Sequence, residues 1–212
     1  MRDEETGSWW QQVSGVAIFG PLKGQKLRSI FVDEVTFGLW KKEHPGGRVQ
    51  RPDPSVAANN YAPVDWEKKM ANVRVVSPQS AESLFTPRQL VAGLKVGNAA
   101  KAYPIDALQK QSPIVDEVGG VPTVLILGAD KKSVRAFEAV LDSRKLDLFL
   151  KQGSDAQLLF DSQTGSEWDF SGKAISGQLS GRQLKRVPVL LDYWFDWKTY
   201  NPTTTVYELG NR

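Results

Sequence analysis

The chain has 212 residues, no cysteine and a single histidine, His44. The missing cysteine excludes disulfides, Cys-ligated zinc, iron–sulfur clusters, thiol nucleophiles and redox cysteine pairs. A Ser-His-Asp site would have to use His44, and no site with two His ligands can form within one chain. Hard oxygen ligands suit soft metals poorly, so no tight transition-metal site is expected and no cofactor is implied. No apolar run reaches the roughly eighteen residues of a transmembrane helix. The opening Met1-Arg2-Asp3-Glu4-Glu5 lacks the apolar core of a signal peptide, so an extracytoplasmic location would require a leader upstream. Charge of one sign is also scarce: 27 basic against 24 acidic residues leave a formal +3. The two signs are mixed along the chain, which is not a nucleic-acid footprint. What is present is a hydrophobic fraction of 41%, enough to bury a core at this length.

The chain also matches itself. Residues 3–10 and 161–168 share the frame D-x-x-T-G-S-x-W, in Asp3/Asp161, Thr6/Thr164, Gly7/Gly165, Ser8/Ser166 and Trp10/Trp168. After a one-residue shift the agreement continues through Gly15/Gly172, Ala17/Ala174, Ile18/Ile175, Gly20/Gly177, Leu22/Leu179, Gly24/Gly181 and Leu27/Leu184. It closes on Trp40-Lys41/Trp197-Lys198, Pro45/Pro202 and Val49/Val206. Asp followed by Thr-Gly-Ser is turn chemistry, because side-chain oxygens bond nearby N–H groups and Gly accepts positive φ. Phe37 and Trp40, like Trp194 and Trp197, stand at i, i+3 and predict a short helix with one aromatic face. The prolines at 45 and 202 end each helix at the preceding residue. His44 therefore matches Asn201, which points to a helix-end hydrogen bonder rather than a catalyst. Segments 6–49 and 164–206 are expected to superpose as one strand-and-short-helix unit.

Residues 45–64 are rich in Pro, Gly and Asn and read as a linker or long loop. A short helix is expected over 65–70 and a strand over 73–76. Leu90–Val96 and Ala99–Tyr103 flank Gly97-Asn98 as a β-hairpin. Pro104–Lys110 reads as a helical turn with Pro at its first position. Ile114–Pro122 suggests two strands around Gly119-Gly120, and the unbroken apolar run Thr123–Leu127 a central buried strand. Further strands are expected at 134–140, 145–150, 158–160, 187–191 and 203–207, although 133–141 also fits a helix. The fold expected is mainly β with short helices, an α+β chain holding two related copies of one unit. Its divisions are a first copy over 1–49, truncated at its N-terminus, a linker over 50–88 and a complete copy over 89–212, all in one compact body.

The doubled D-x-x-T-G-S-x-W motif, the G-x-A-x-x-G-x-L-x-G-x-x-L tract, the W-K pair and the closing Pro resemble the family known as domain of unknown function 3179. So do Ala102-Tyr103-Pro104 and the later Val118-Gly119-Gly120-Val121-Pro122. The resemblance covers most of the chain outside 50–88. In that family Ala-Tyr-Pro is often followed by a His-Glu pair, an Asn-Asp pair and a Cys-Pro-x-Cys segment. Here those places hold Gln111-Ser112, Val115-Asp116 and Gly128-Ala129-Asp130-Lys131, so only Asp116 is kept. The resemblance implies a fold and no activity. It also makes the chain look like the C-terminal part of a longer two-copy protein.

Seven tryptophans invite two readings, a stacking platform or core anchors. Trp10, Trp40, Trp168 and Trp197 recur in both copies and are expected in the core. Trp9 matches Glu167 and Trp194 matches Phe37, so Trp9 and Trp194 are the candidates for exposed ligand contacts. Asp161, Thr164 and Ser166 are candidates to bind a cation or polar ligand, against the plainer reading that they close a turn. Gly20-Pro21-Leu22-Lys23-Gly24 lacks the Gly-Lys-Ser/Thr ending of a phosphate loop. Asp116, Glu117 and Asp192 could serve hydrolysis only if the fold brought carboxylates together. No catalytic residue and no metal ligand is assigned. The leading expectation is a non-catalytic β-rich structural or binding module, the remaining part of a duplicated protein, with an upstream region of the same protein as its candidate partner. The alternative is the support half of a metal- or thiol-dependent extracytoplasmic redox protein whose Cys-bearing half lies upstream. A carboxylate or Ser/Thr hydrolase is a third class.

Overall fold

A computed structural model describes residues 1–12, 14–28, 30, 32–51, 53–55, 62–63, 65–75, 85–153 and 157–209. The chain packs as two units, residues 1–33 and 34–212. Unit 1 holds one antiparallel pair, β1 (Trp9–Trp10) and β2 (Ala17–Phe19), with a bulge between Trp9 and Trp10. Trp9 stands opposite Phe19 and Trp10 opposite Ala17. The Asp3–Ser8 turn leads into this pair and the Gly20–Gly24 turn follows it, and Trp10 and Ala17 are buried between them.

The described residues of unit 2 include, first, the short helices α1 (Phe37–Glu43) and α2 (Trp66–Met70). A long hairpin follows, β3 (Leu90–Val96) and β4 (Ala99–Pro104), then α3 (Ile105–Lys110). Next come β5 (Ile114–Val118), β6 (Val121–Leu127) and β7 (Val134–Glu138), and the small ribbon β8 (Val140–Leu141) and β9 (Arg144–Lys145). The chain continues with β10 (Leu148–Leu150), β11 (Leu159–Asp161), β12 (Ser166–Trp168) and β13 (Ala174–Ser176). It ends with β14 (Arg186–Val187), β15 (Val189–Tyr193), α4 (Trp194–Tyr200) and β16 (Thr205–Val206). Three four-stranded sheets result, ordered β10-β11-β12-β13, β14-β7-β6-β5 and β15-β3-β4-β16. All their pairings are antiparallel except β16 on β4. No helix among the described residues is long and apolar enough to cross a membrane.

Burial follows the two faces of each strand. Ala92, Leu94 and Tyr103 from the hairpin meet Ile114, Leu125, Leu127 and Ala136 from the β5–β7 sheet, with Leu108 of α3 closing the cluster. Val124, Ile126 and Phe137 point the other way and pack with Leu148, Leu159, Trp168 and Ala174. Strand β6 is thus buried on both faces, which is why its sequence runs apolar without alternation. The opposite face of the hairpin, Val91, Ala100 and Ala102, receives Trp194 and Trp197 of α4.

The structure decides one open alternative of the sequence reading and changes other expectations. Residues 133–141 hold strands β7 and β8, not helix, because Val134 and Ala136 face one core cluster and Phe137 the other, the alternation of a strand covered on both faces. The strand expected over 187–191 is two strands in different sheets. Pro188 between them has no N–H to give a ladder, and the chain leaves β7 and joins β3 at that residue. Residues 73–75 form no strand, and Val76 lies outside the described residues, as do parts of the 45–64 loop.

Candidate functional site

The two Thr-Gly-Ser turns close with the same bonds. In unit 1 the Thr6 hydroxyl donates to Asp3 Oδ2 at 2.9 Å and lies 2.7 Å from Ser8 Oγ, which accepts from Leu22 N at 3.2 Å. In unit 2 Thr164 Oγ1 donates to Asp161 Oδ2 at 2.5 Å and contacts Ser166 Oγ at 2.8 Å, and Ser166 accepts from Leu179 N at 2.9 Å. Strand β12 pairs with β13 in the register of β1 and β2, Glu167 opposite Ser176 and Trp168 opposite Ala174, with the bulge at the same step. Gly20 and Gly177 both adopt positive φ, and a Cβ on either would strike the Ser8 or Ser166 backbone. The turns differ in their carboxylates. Asp3 accepts from the Trp10 indole at 2.7 Å, and that bond with the Thr6 N–H bond lowers its pKa to about 2. Asp161 instead accepts from Asp147 N at 2.9 Å, and the buried Trp168 N–H has no protein partner.

These contacts place three of the sequence candidates. Asp161 and Ser166 are completely buried and Thr164 is half-buried, with their oxygens engaged by one another and by backbone N–H groups. The other two separate. Trp9 is 48% exposed beside the exposed Phe19, whereas its match Glu167 pairs with Lys151 at 2.6 Å. Trp194 is 6% exposed, edge-on to Phe85 and against the hairpin. The Trp194 ring thus lies buried against the hairpin rather than open: its match to Phe37 concealed a different neighbour, not a different helix.

The resemblance motifs meet at a second place. Tyr103 of β4 donates its hydroxyl to Asp116 Oδ2 of β5 at 2.8 Å, and Lys101 Nζ reaches the same oxygen at 2.6 Å. Tyr207 stacks on Tyr103 with ring centroids 5.4 Å apart, and the Lys101 ammonium lies over both rings. Burial, then the Asp116 carboxylate, pushes the Tyr103 hydroxyl far above its usual pKa, so it stays a donor. A cleft of about 240 Å³ lies beside Lys101, bordered by Asn98, Glu117, Gly119, Thr203 and Thr205. Sequence reading missed Lys101 and Tyr207. The i, i+2 spacing on β4 puts Lys101 on the face of Tyr103. Tyr207 arrives only through the parallel pairing of β16 with β4, which no local pattern announces.

The third place is α1. Thr36 caps it by accepting from Leu39 N at 3.3 Å and also donates to Asp130 Oδ2 at 2.6 Å. Burial opposes ionisation of Asp130, but bonds from Ser133, Thr36 and two backbone N–H groups outweigh it and hold its pKa at about 2. At the other end Glu43 grips buried Arg135 with two bonds of 2.6 and 2.8 Å. His44 is the C-cap, its N–H donating to Trp40 O at 2.8 Å and its ring 5.5 Å from Trp40. Between these polar anchors the helix buries no residue. Phe37 is 61% exposed and Trp40 half-buried, their rings stacked at 5.7 Å.

Among the described residues, Asp116 and Asp192, two of the carboxylates weighed for hydrolysis, stand in separate surroundings. Asp116 is held by Tyr103 and Lys101. Burial first, and then Asp196 one helical turn on, raise Asp192 to about 6. Neither arrangement sets an acid and a base across an open cleft.

No curated protein and no solved structure matches the chain. One family model, described as a protein of unknown function (DUF3179), matches residues 1–204. That span takes in both turns, the Tyr103–Asp116 pair and both aromatic helices, and the chain belongs to the DUF3179 family.

Proposed function

We propose that the chain is a non-catalytic β-rich structural and binding module, made from two copies of one β-plus-short-helix unit. The copies are residues 1–49 and 89–212, joined by the segment between. The observation that carries this reading is the direction of the polar groups. At each place where sequence motifs converge, carboxylates and hydroxyls point to the protein's own backbone and side chains. A catalytic group needs a free lone pair or proton facing a substrate. The exposed large apolar side chains include aromatics, Phe37 on α1 and Trp9 with Phe19 on the β1–β2 pair. The matched turn hydrogen bonds, bulges and helix C-caps of the two segments support duplication.

Thr164→Val tests the structural reading. It removes a donor from Asp161 and a partner from Ser166, both buried, and should cost about 1–3 kcal/mol in chemical denaturation. If Thr164→Val or Asp161→Asn left stability intact while abolishing hydrolysis of an ester or glycoside by the protein, the module reading would be wrong.

A further inference from the structure

Unit 1 repeats more of unit 2 than its two short strands. Residues 1–3 run along β1 in the register that β11 takes along β12. Met1 N donates to Trp10 O at 2.9 Å, and Trp10 N donates back to Met1 O at 2.7 Å. Asp3 N donates to Ser8 O at 3.0 Å, and Arg2 stands opposite Trp9 as Phe160 stands opposite Glu167. Past β2 the match holds bond for bond. Gly24 N reaches Ala17 O and Gly181 N reaches Ala174 O, both at 2.8 Å, and Leu27 N reaches Gly15 O as Leu184 N reaches Gly172 O, both at 2.9 Å.

The copies part on the outer side of this edge. In unit 2, β10 lies against β11 with Phe149 opposite Phe160, and Ser162 N donates to Asp147 O at 3.1 Å. Among the described residues no strand pairs with the outer side of residues 1–3. Met1 and Asp3 spend their backbone bonds on β1, so antiparallel alternation turns the N–H and C=O of Arg2 to the open side. Met1 is 65% exposed where Leu159 is fully buried, and Arg2 is exposed where Phe160 is half-buried. The motif carboxylate registers the same difference. Asp161 accepts from Asp147 N at the entry to β10, whereas Asp3 accepts from the Trp10 indole.

We propose that the open edge of residues 1–3 takes up an antiparallel β-strand of a partner polypeptide, with apolar, acidic and apolar side chains in succession, as β11 takes up β10. Strand β10 shows the occupant's register. Its Leu148 is buried in the cluster that holds Leu159, and a leucine placed likewise would cover Met1. The middle residue falls opposite Arg2, where an acidic side chain complements the guanidinium. The same arginine disfavours a second copy, because two such edges paired about a twofold set Arg2 against Arg2. The proposal rests on the duplication reading and adds the kind of partner to it.

The probe is a peptide of residues 144–151 carrying Phe149→Glu, titrated into the full chain by calorimetry and by the Trp10 indole resonance. It should bind and shift that resonance, because its N–H at the Asp147 position draws on the Asp3 carboxylate. Arg2→Pro removes the outward N–H but no bond within unit 1, so it should weaken binding about tenfold or more while the free variant keeps the parent's Trp10 resonance. N-methylation of the peptide at position 149 should do the same against the unaltered chain. Arg2→Glu should weaken binding about two- to fivefold, and a peptide with Phe149→Lys should restore it. Absence of binding by the parent chain, or binding that survives both Arg2→Pro and the N-methylated peptide, would overturn the proposal. So would a dimer of the parent chain that Arg2→Pro dissolves, which gives the edge to a second copy. If Thr164→Val loses stability while no peptide binds, the module reading stands and the strand proposal alone falls.

Discussion

Helices α1 and α4 share C-cap geometry, length and aromatic spacing, yet α4 is held by its aromatics and α1 by its polar ends. Trp194 and Trp197 are 6% and 2% exposed, against 61% for Phe37. Thr36 with Asp130 and Glu43 with Arg135 do for α1 what the hairpin does for α4. A local sequence pattern fixes where a helix begins, ends and turns its apolar side. Whether that side is buried depends on a surface far away in the chain, here a strand with glycine at one position.

The largest separation should come from truncating the second aromatic in each helix. Trp197→Ala removes a buried ring and its bond to Thr204, and should cost about 3–5 kcal/mol. Trp40→Ala should cost under about 1 kcal/mol. Equal losses in urea denaturation would mean that α1 is anchored by its aromatics after all. Next in size is Gly93→Ala, which sets a methyl where the Trp197 ring lies and should cost about 1–3 kcal/mol. In a Trp197→Ala background that cost should shrink, because the clash has gone. Additive losses would place the strain elsewhere.

The smallest effect is electrostatic. Asp130, beside α1, is depressed to about 2 from 3.8, so its contribution is present above pH 3.8 and fades as pH falls through 2. Asp192, before α4, is raised to about 6, so the folded state binds its proton more tightly than the unfolded chain. That contribution is full below about pH 3.8 and is lost as pH rises through 6. Asp192→Asn should therefore flatten the pH dependence of the melting temperature between 4 and 6, whereas Asp130→Asn should flatten it between about 2 and 4. A variant of Asp192 with the parent's slope between 4 and 6 would show that the carboxyl is solvated in solution.

Much of this was legible because the turns and hairpins are local. Gly97-Asn98 and Gly119-Gly120 sit between strands that pair as their alternation demands. The helix ends at His44 and Asn201 follow from the prolines after them. The run at 123–127 gave a strand buried on both faces. Burial of Trp194 was not legible, since a match to Phe37 reports side-chain type and not the hairpin above it. Nor was the Lys101–Asp116–Tyr103 group, which joins two strands of different sheets and a tyrosine from a parallel edge.

Pro188 has a consequence for how this protein comes apart. Val187 is laced to Ala136 in one sheet and Val189 to Leu94 in the next, with a single residue between. A lever one residue long cannot let one sheet open while the other stays closed. Amide protons on β7 and on β3 should thus exchange through the same opening event, with the same dependence on denaturant, so that two sheets melt as one cooperative block.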